Sequence, residues 1–297
     1  MSEHADWFGS TISNDDADLA PELRQMLTSH EPSALGDRIS RELDNYSVAF
    51  ITSKEGERSP AGSGTLISFR NSKYILTAAH VWHGDSPDNG LKNADSILIP
   101  IKEGEPKRLT FNPTELIAFG PEIPRGWNQW GPDLVALSLP PDRIGSLQAV
   151  GRSFYNLSKQ KEHNVEGVQT HFLVGAPAQR GDFTAGKAIP EMQAMLIWKA
   201  TGSYLRAGLP HPMRQDFDYI DLGINTNAPH VAKRFGGVSG GGIWTVWVYR
   251  SGIAGFESFK FLNGIAYWEE PFDESNLLMV RCHGPQSIRT VLRYLPD

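Results

Sequence analysis

Cysteine is almost absent from this chain: Cys282 is the only one in 297 residues, so no intrachain disulfide can form. Secreted β proteins of this size often carry disulfides, so a reducing, cytoplasmic compartment is the expectation. Long apolar runs are missing too. Nothing approaches the roughly 20 apolar residues that span a bilayer, and residues 1–6 lack the basic region and apolar core of a secretory signal. Excess positive charge is lacking as well. The formal net charge is −6, whereas a nucleic-acid surface needs a basic face. Neither nucleic acid nor membrane is an expected partner.

What is present is a globular composition, 40% hydrophobic and 10% aromatic, enough for one large β domain or two smaller units. The acidity is local. Residues 1–44 hold ten acidic side chains against three basic ones, leaving the body near neutral. In the same segment Leu19, Leu23, Met26 and Leu27, and again Leu35, Ile39 and Leu43, recur at helical spacing. An acidic helical extension over 1–44 is expected, either packed on the body or acting as a docking element for a regulatory partner.

From Tyr46 the period changes to short strands between turns, at 47–52, 62–69, 74–79, 96–101, 108–111, 116–119 and 134–139. Residues 53–60 read as a polar loop, and 62–69 pairs with 74–79 as a hairpin. The proline-bearing stretch 140–158 is the best internal boundary. A second set of strands follows at 170–174, 192–198, 219–222, 243–248, 252–256 and 262–268, and a helix from Pro285 presents Ile288, Val291, Leu292 and Leu295 on one face. Short strands without long intervening helices indicate an all-β barrel or sandwich. The expected organisation is 1–44, then a β unit at 45–150 and a second at 151–297.

The densest local signal is Phe235–Trp244, where five glycines surround Ser239 ahead of an apolar strand. Such a turn can expose a hydroxyl and aim backbone N–H groups at one point, as an acyl-transfer nucleophile requires. A base and an orienting acid must then come from elsewhere. His80 closes the hairpin among small residues, Thr77-Ala78-Ala79-His80. Asp133 follows Gly131-Pro132 and leads straight into the apolar run Leu134–Leu137, where a carboxylate is costly unless paired. His80 and His83 also form His-x-x-His with Asp85 and Asp88 nearby, which reads as a polar loop, so no metal or cofactor is expected. Cys282 follows an apolar run and reads as a buried thiol.

Taken in order, Gly62-Ser63-Gly64-Thr65-Leu66-Ile67, Leu76–His80, Asp133–Leu137 and Gly237-Val238-Ser239-Gly240-Gly241 resemble the chymotrypsin/trypsin-like serine proteases, whose triad runs His, Asp, Ser. The stretch Leu262–Trp268 resembles the strand lining that family's substrate cleft, and the resemblance covers about residues 46–297. It implies two six-stranded antiparallel β-barrels with a C-terminal helix. It also implies Ser239 as nucleophile, His80 as base, Asp133 as orienting acid, and the N–H groups of Gly237 and Ser239 as oxyanion hole. Tyr267 and Trp268 would line the cleft, with Lys233 and Arg234 at the specificity pocket.

Two departures matter. Val238 stands where digestive members carry an aspartate that binds a newly cut N-terminus, so zymogen activation by N-terminal cleavage is not expected. The family's disulfides are missing, as in divergent bacterial-type members. Lys233 and Arg234 argue for an acidic substrate side chain, Glu269 and Glu270 for a basic one. The expected function is a serine endopeptidase acting on protein or peptide substrates. The alternatives are a catalytically silent peptide-binding module on the same fold and a small-ester or amide hydrolase.

Overall fold

From Ser47 onward, β-branched and aromatic residues alternate with short polar turns, and in a computed structural model they fold into two largely antiparallel sheets. The structure describes residues 34–84, 89–100, 108–121, 131–160, 168–176, 197–199, 205–208, 216–225, 235–251, 255–270 and 277–296.

The first sheet contains β1 (Ser47–Lys54), β2 (Glu57–Phe69), β3 (Ser72–Thr77), β4 (Ser96–Pro100), β5 (Arg108–Phe111), β6 (Ile117–Phe119) and β7 (Val135–Ser138). Its spatial order is β5-β4-β1-β2-β3-β7-β6, with the short β8 (Tyr155–Asn156) joining β2 in parallel. The β2–β3 hairpin pairs as expected, Thr65 with Leu76 and Ile67 with Tyr74. Residues 53–60 are not the expected loop. They extend β1 and β2 to a two-residue turn at Glu55-Gly56, both at positive φ (+52° and +83°), the twist such a tight hairpin needs. Asp95 holds this turn by accepting the Glu55 N–H at 2.7 Å.

The second sheet contains β9 (Val168–Val174), β10 (Ile197–Lys199), β11 (Leu205–Gly208), β12 (Tyr219–Asn225), β13 (Gly242–Ser251), β14 (Gly255–Glu270) and β15 (Leu277–His283). Its order is β10-β9-β13-β14-β15-β12-β11. Residues 255–256 and 262–268, expected in separate strands, lie in the single 16-residue β14. Among the described residues the sheets hold eight and seven strands, where six and six were expected.

Among the described residues four α-helices accompany the sheets: α1 (Ala34–Asp44), α2 (Ala79–His83), α3 (Pro141–Ala149) and α4 (Pro285–Leu292). Proline in the first turn suits α3 and α4, since its missing N–H has no intrahelical partner there. α3 occupies the stretch read as an irregular boundary. Among the described residues no helix is long and apolar enough to cross a membrane.

One apolar cluster runs from α1 through both sheets to α4, joining Ile39, Leu66, Leu137, Trp244, Leu262 and Val291. Tyr46 and Tyr155, partly buried, pack ring against ring with the buried Trp244 at its edge, with centroids 4.9–5.6 Å apart. A smaller cluster, including Leu173, Val238, Ile243 and Cys282, fills the other face of the second sheet. Cys282 is free and fully buried, as its apolar setting suggested.

α1 is part of this core. Leu35, Ile39 and Leu43 are all buried, the last two completely. Lys260 pairs with Glu42, and Arg152 binds Asp44 at 3.0 Å. The earlier apolar repeat at Leu19–Leu27 lies outside the described residues. Ile39→Ala should therefore lower the unfolding free energy by about 2–5 kcal/mol, measured by chemical denaturation. A loss below about 0.5 kcal/mol would mean that α1 does not belong to the cooperative unit.

Candidate active site

α2 begins one residue after β3 ends and Ala78 carries the chain across, so His80 sits on the first turn of a short helix and not on a strand end. The Gly84 N–H closes that helix onto the His80 carbonyl at 2.7 Å. Two residues before β7, in the irregular stretch 131–134, stands Asp133, 3% exposed. A carboxylate this deep needs donors, and His80 supplies two. Its main-chain N–H reaches Oδ1 at 2.8 Å, and its ring Nδ1 meets Oδ2 at 2.6 Å. His80 is held at two points by one carboxylate, once at its main chain and once at its ring, and an ionised carboxylate can only accept, so Nδ1 carries the proton and Nε2 is left as the basic nitrogen.

Ser239 lies on the turn between Phe235 and β13, half-buried, and three hydrogen bonds tie the main chain of 239–241 to Ser63 and Ala266. The Ser239 carbonyl accepts from Ser63 N–H at 2.7 Å, the Gly240 N–H donates to Ala266 O at 2.7 Å, and the Ala266 N–H returns to Gly241 O at 2.8 Å. The preceding turn closes by Val238 N–H donating to Phe235 O at 2.9 Å, with Gly237 at φ +92°. That combination is the type II sense, which only glycine adopts without strain at this position. Val238 itself is buried among Leu173, Phe235 and Ile243.

Ser63 on β2 is the residue that the sequence reading passed over. Its hydroxyl donates to Gly237 O at 2.8 Å and accepts from Ala176 N–H at 2.9 Å, while its carbonyl takes the Thr77 hydroxyl at 2.7 Å. One buried serine thus ties the Ser239 turn to β2, β3 and the end of β9. Gly62 beside it shows how closely the parts approach. A Cβ there would stand 2.6 Å from the Val81 side chain and 3.1 Å from Ser239 O, so only glycine lets α2 and the Ser239 turn close on β2.

The structure thus joins His80 and Asp133 directly and seats the Ser239 turn on β2, the strand that α2 also packs against at Gly62. An open hollow of about 340 Å³ lies beside His80, between the β1–β2 hairpin (Thr52, Ser59, Ala61) and Asn89 and Asn93. Trp268 is 40% exposed, while Tyr267 is buried with its ring stacked on His283. Its burial pushes the Tyr267 phenol pKa far up. Lys233 and Arg234 lie outside the described residues.

Two acidic candidates for substrate recognition are already engaged. Glu269 accepts the Phe235 N–H at 2.9 Å, and Glu270 binds the buried Arg281 at 2.6 Å. Arg281 also holds Asp221 at 2.9 and 3.2 Å, and these carboxylates raise its pKa against the effect of burial. His83 accepts from Lys92 at 3.2 Å. Burial first and the lysine second lower its pKa, with Asp133 acting in the opposite direction. Asp85 and Asp88, the acids near His-x-x-His, lie outside the described residues. Among the described residues no group of three or more His, Cys, Asp or Glu is placed to hold a metal.

No protein-family model and no curated protein matches the chain. Solved structures do. The active form of the Rv3671c protease from M. tuberculosis is similar over 90% of this chain and 88% of its own, at 10% identity and a TM-score of 0.44. The protease Anisep from Arthrobacter nicotinovorans is similar over 85% of this chain and 95% of its own, at 13% identity and a TM-score of 0.41. The catalytically active tobacco etch virus protease in complex with product is similar over 84% of this chain and 77% of its own, at 12% identity and a TM-score of 0.40.

Proposed function

We propose that this chain is a serine endopeptidase with a Ser239–His80–Asp133 triad on a trypsin-like double-barrel fold. The observation that carries the reading is the two-point seat of His80 on Asp133, 2.8 Å at the main chain and 2.6 Å at the ring. Such a seat leaves Nε2 unprotonated and restrained, the state a general base must occupy before reaction.

Ser239 Oγ attacks the scissile carbonyl as His80 Nε2 takes its proton. The tetrahedral oxyanion is met by the N–H groups of Gly237 and Ser239, each worth about 3 kcal/mol to the transition state. His80 returns the proton to the leaving amine, and a water activated by the same nitrogen then releases the acyl group from Ser239. β14 runs on past Ile265, where its pairing with β13 ends, and an extended substrate backbone adds to that edge beside Trp268. The apolar burial of Val238 supports activity without N-terminal cleavage, since no carboxylate stands at that position to pair with a new N-terminal ammonium. Cys282, the one cysteine of the sequence, is free and buried, which supports a disulfide-free chain. Residues 1–33, ahead of the core helix α1, are the segment left for a regulatory partner.

A fluorophosphonate probe tests the reading. The parent chain should take one label and Ser239→Ala none, and the parent should cleave members of a peptide library. A folded parent that takes no label and cleaves nothing would overturn the peptidase, and peptide capture without cleavage would favour the binding module. Labelling with ester turnover but no peptide cleavage would assign the small-ester hydrolase.

A further inference from the structure

His283, the last residue of β15, is completely buried, yet it lies on the opposite sheet from His80 and Asp133. Its Nε2 accepts the main-chain N–H of Asp133 at 2.9 Å. Asp133 precedes β7, whose ladder with β3 begins only at Val135, so its N–H finds its acceptor on this side chain. The ring has little freedom to drift. Tyr267 stacks on it at 4.2 Å and 16°, Tyr219 stands at 5.4 Å, and Phe217 meets it edge-on at 5.5 Å. The backbone of His283 is paired on both sides, with Tyr219 and Ile265. A Cβ on Gly131 would lie 2.9 Å from Nε2, so the loop closes directly over the ring.

We propose that His283 is a positioning residue, which acts through Asp133 to set the geometry of His80. A ring nitrogen that accepts a hydrogen bond must lack a proton, so His283 serves as a neutral imidazole protonated at Nδ1. The chain of contacts has no slack. Both oxygens of Asp133 are already on His80, at 2.8 and 2.6 Å, so a shift of the Asp133 main chain passes straight into the Nδ1 contact. The second sheet, which carries Ser239, thereby also fixes the acid of the first. The inference rests on His80 being the proton carrier of the proposed peptidase.

Three substitutions separate positioning from simple core filling. His283→Phe keeps the ring and loses the acceptor, His283→Gln keeps an acceptor at similar reach, and His283→Asn carries one too short to arrive. Nitrogen-15 NMR titration of His80 in a Ser239→Ala background reads the contact without needing turnover. Loss of the Asp133 contact removes support for the imidazolium, so the His80 midpoint should fall by about one unit or more in the Phe and Asn chains and return in the Gln chain. In the Ser239 background the same two variants should lose about 10–100-fold in kcat with KM nearly unchanged, again rescued by Gln. A His80 midpoint identical in every folded variant, or Gln behaving as Phe does, overturns the proposal. If the Phe chain does not fold, the Gln and Asn pair decides. The parent decides by itself as well, because finding His283 protonated at Nε2 at neutral pH also overturns it. A His80 midpoint that responds in a chain without hydrolytic activity would sink the peptidase reading and leave the positioning intact.

Discussion

Ser239→Ala should lower kcat for peptide hydrolysis by about 10⁶-fold, the loss recorded when a serine protease surrenders its nucleophile. The fold should not suffer. The contacts that seat Ser239 and its neighbours engage the main chain of the turn and not the Ser239 hydroxyl, with the carbonyl taking Ser63 N–H at 2.7 Å, Gly240 N–H reaching Ala266 O and Gly237 O accepting the Ser63 hydroxyl. Removing Oγ takes away none of these, so the melting temperature should move by no more than about 2 °C, the range of a surface change below 0.5 kcal/mol. Hydrolysis remaining above about 10⁻³ of the parent would exceed what an oxyanion hole and substrate binding retain by themselves, and the nucleophile would have to be sought elsewhere. Initial-rate measurement on a cleaved library peptide, beside a thermal melt, reads both quantities.

How much of this was legible beforehand depends on whether the signal is local. The apolar spacing of Leu35, Ile39 and Leu43 was enough to write α1, because its burial follows from helical period alone. The hairpin of β2 and β3 was legible from two apolar runs and a polar turn. His80 and Asp133 stood out by their settings, and the structure pairs them. The β1–β2 turn was missed because Glu55-Gly56 lacks the Asn or Asp that usually marks positive φ, and because Glu57–Ser59 is polar on a part of the hairpin that stands clear of the core. β14 was divided because its outer part carries Glu257, Ser258 and Lys260, which break the apolar pattern without breaking the ladder to β13. α3 hid behind its prolines, read as loop markers when they serve a first turn.

Ser63 and His283 are a different kind of omission. Ser63 sits in Gly-Ser-Gly, where a serine looks like filler, and its importance comes from partners 113 and 174 residues away. His283 reaches Asp133 across 150 residues. No period or spacing encodes such contacts, since they arise only when two sheets close on each other. The usable hint was chemical: a histidine at the end of an apolar strand, ahead of Gly284-Pro285, is a polar ring in a place that requires a partner.

Asp133→Asn should cut kcat by about 10⁴-fold near neutral pH, the magnitude known for this substitution in trypsin, and here the geometry dictates why. The two oxygens of Asp133 are not equivalent. Oδ1 receives the His80 main-chain N–H at 2.8 Å, and Oδ2 faces ring Nδ1 at 2.6 Å. An asparagine must put its carbonyl oxygen where Oδ1 was, since the amide NH₂ cannot accept from a main-chain N–H. Its NH₂ then points at Nδ1 and can only donate. His80 must accept there, which moves its proton to Nε2, the nitrogen that the proposed mechanism needs bare for the Ser239 attack. The substitution therefore keeps the fold and the ring position while installing the wrong tautomer. The variant should bind substrate with nearly unchanged KM, and nitrogen-15 shifts should report an Nε2–H imidazole at neutral pH. A loss below about tenfold in kcat would place the tautomer under some control other than Asp133. Retention of an Nδ1–H ring would mean that the carboxylate does not select the reactive nitrogen of His80.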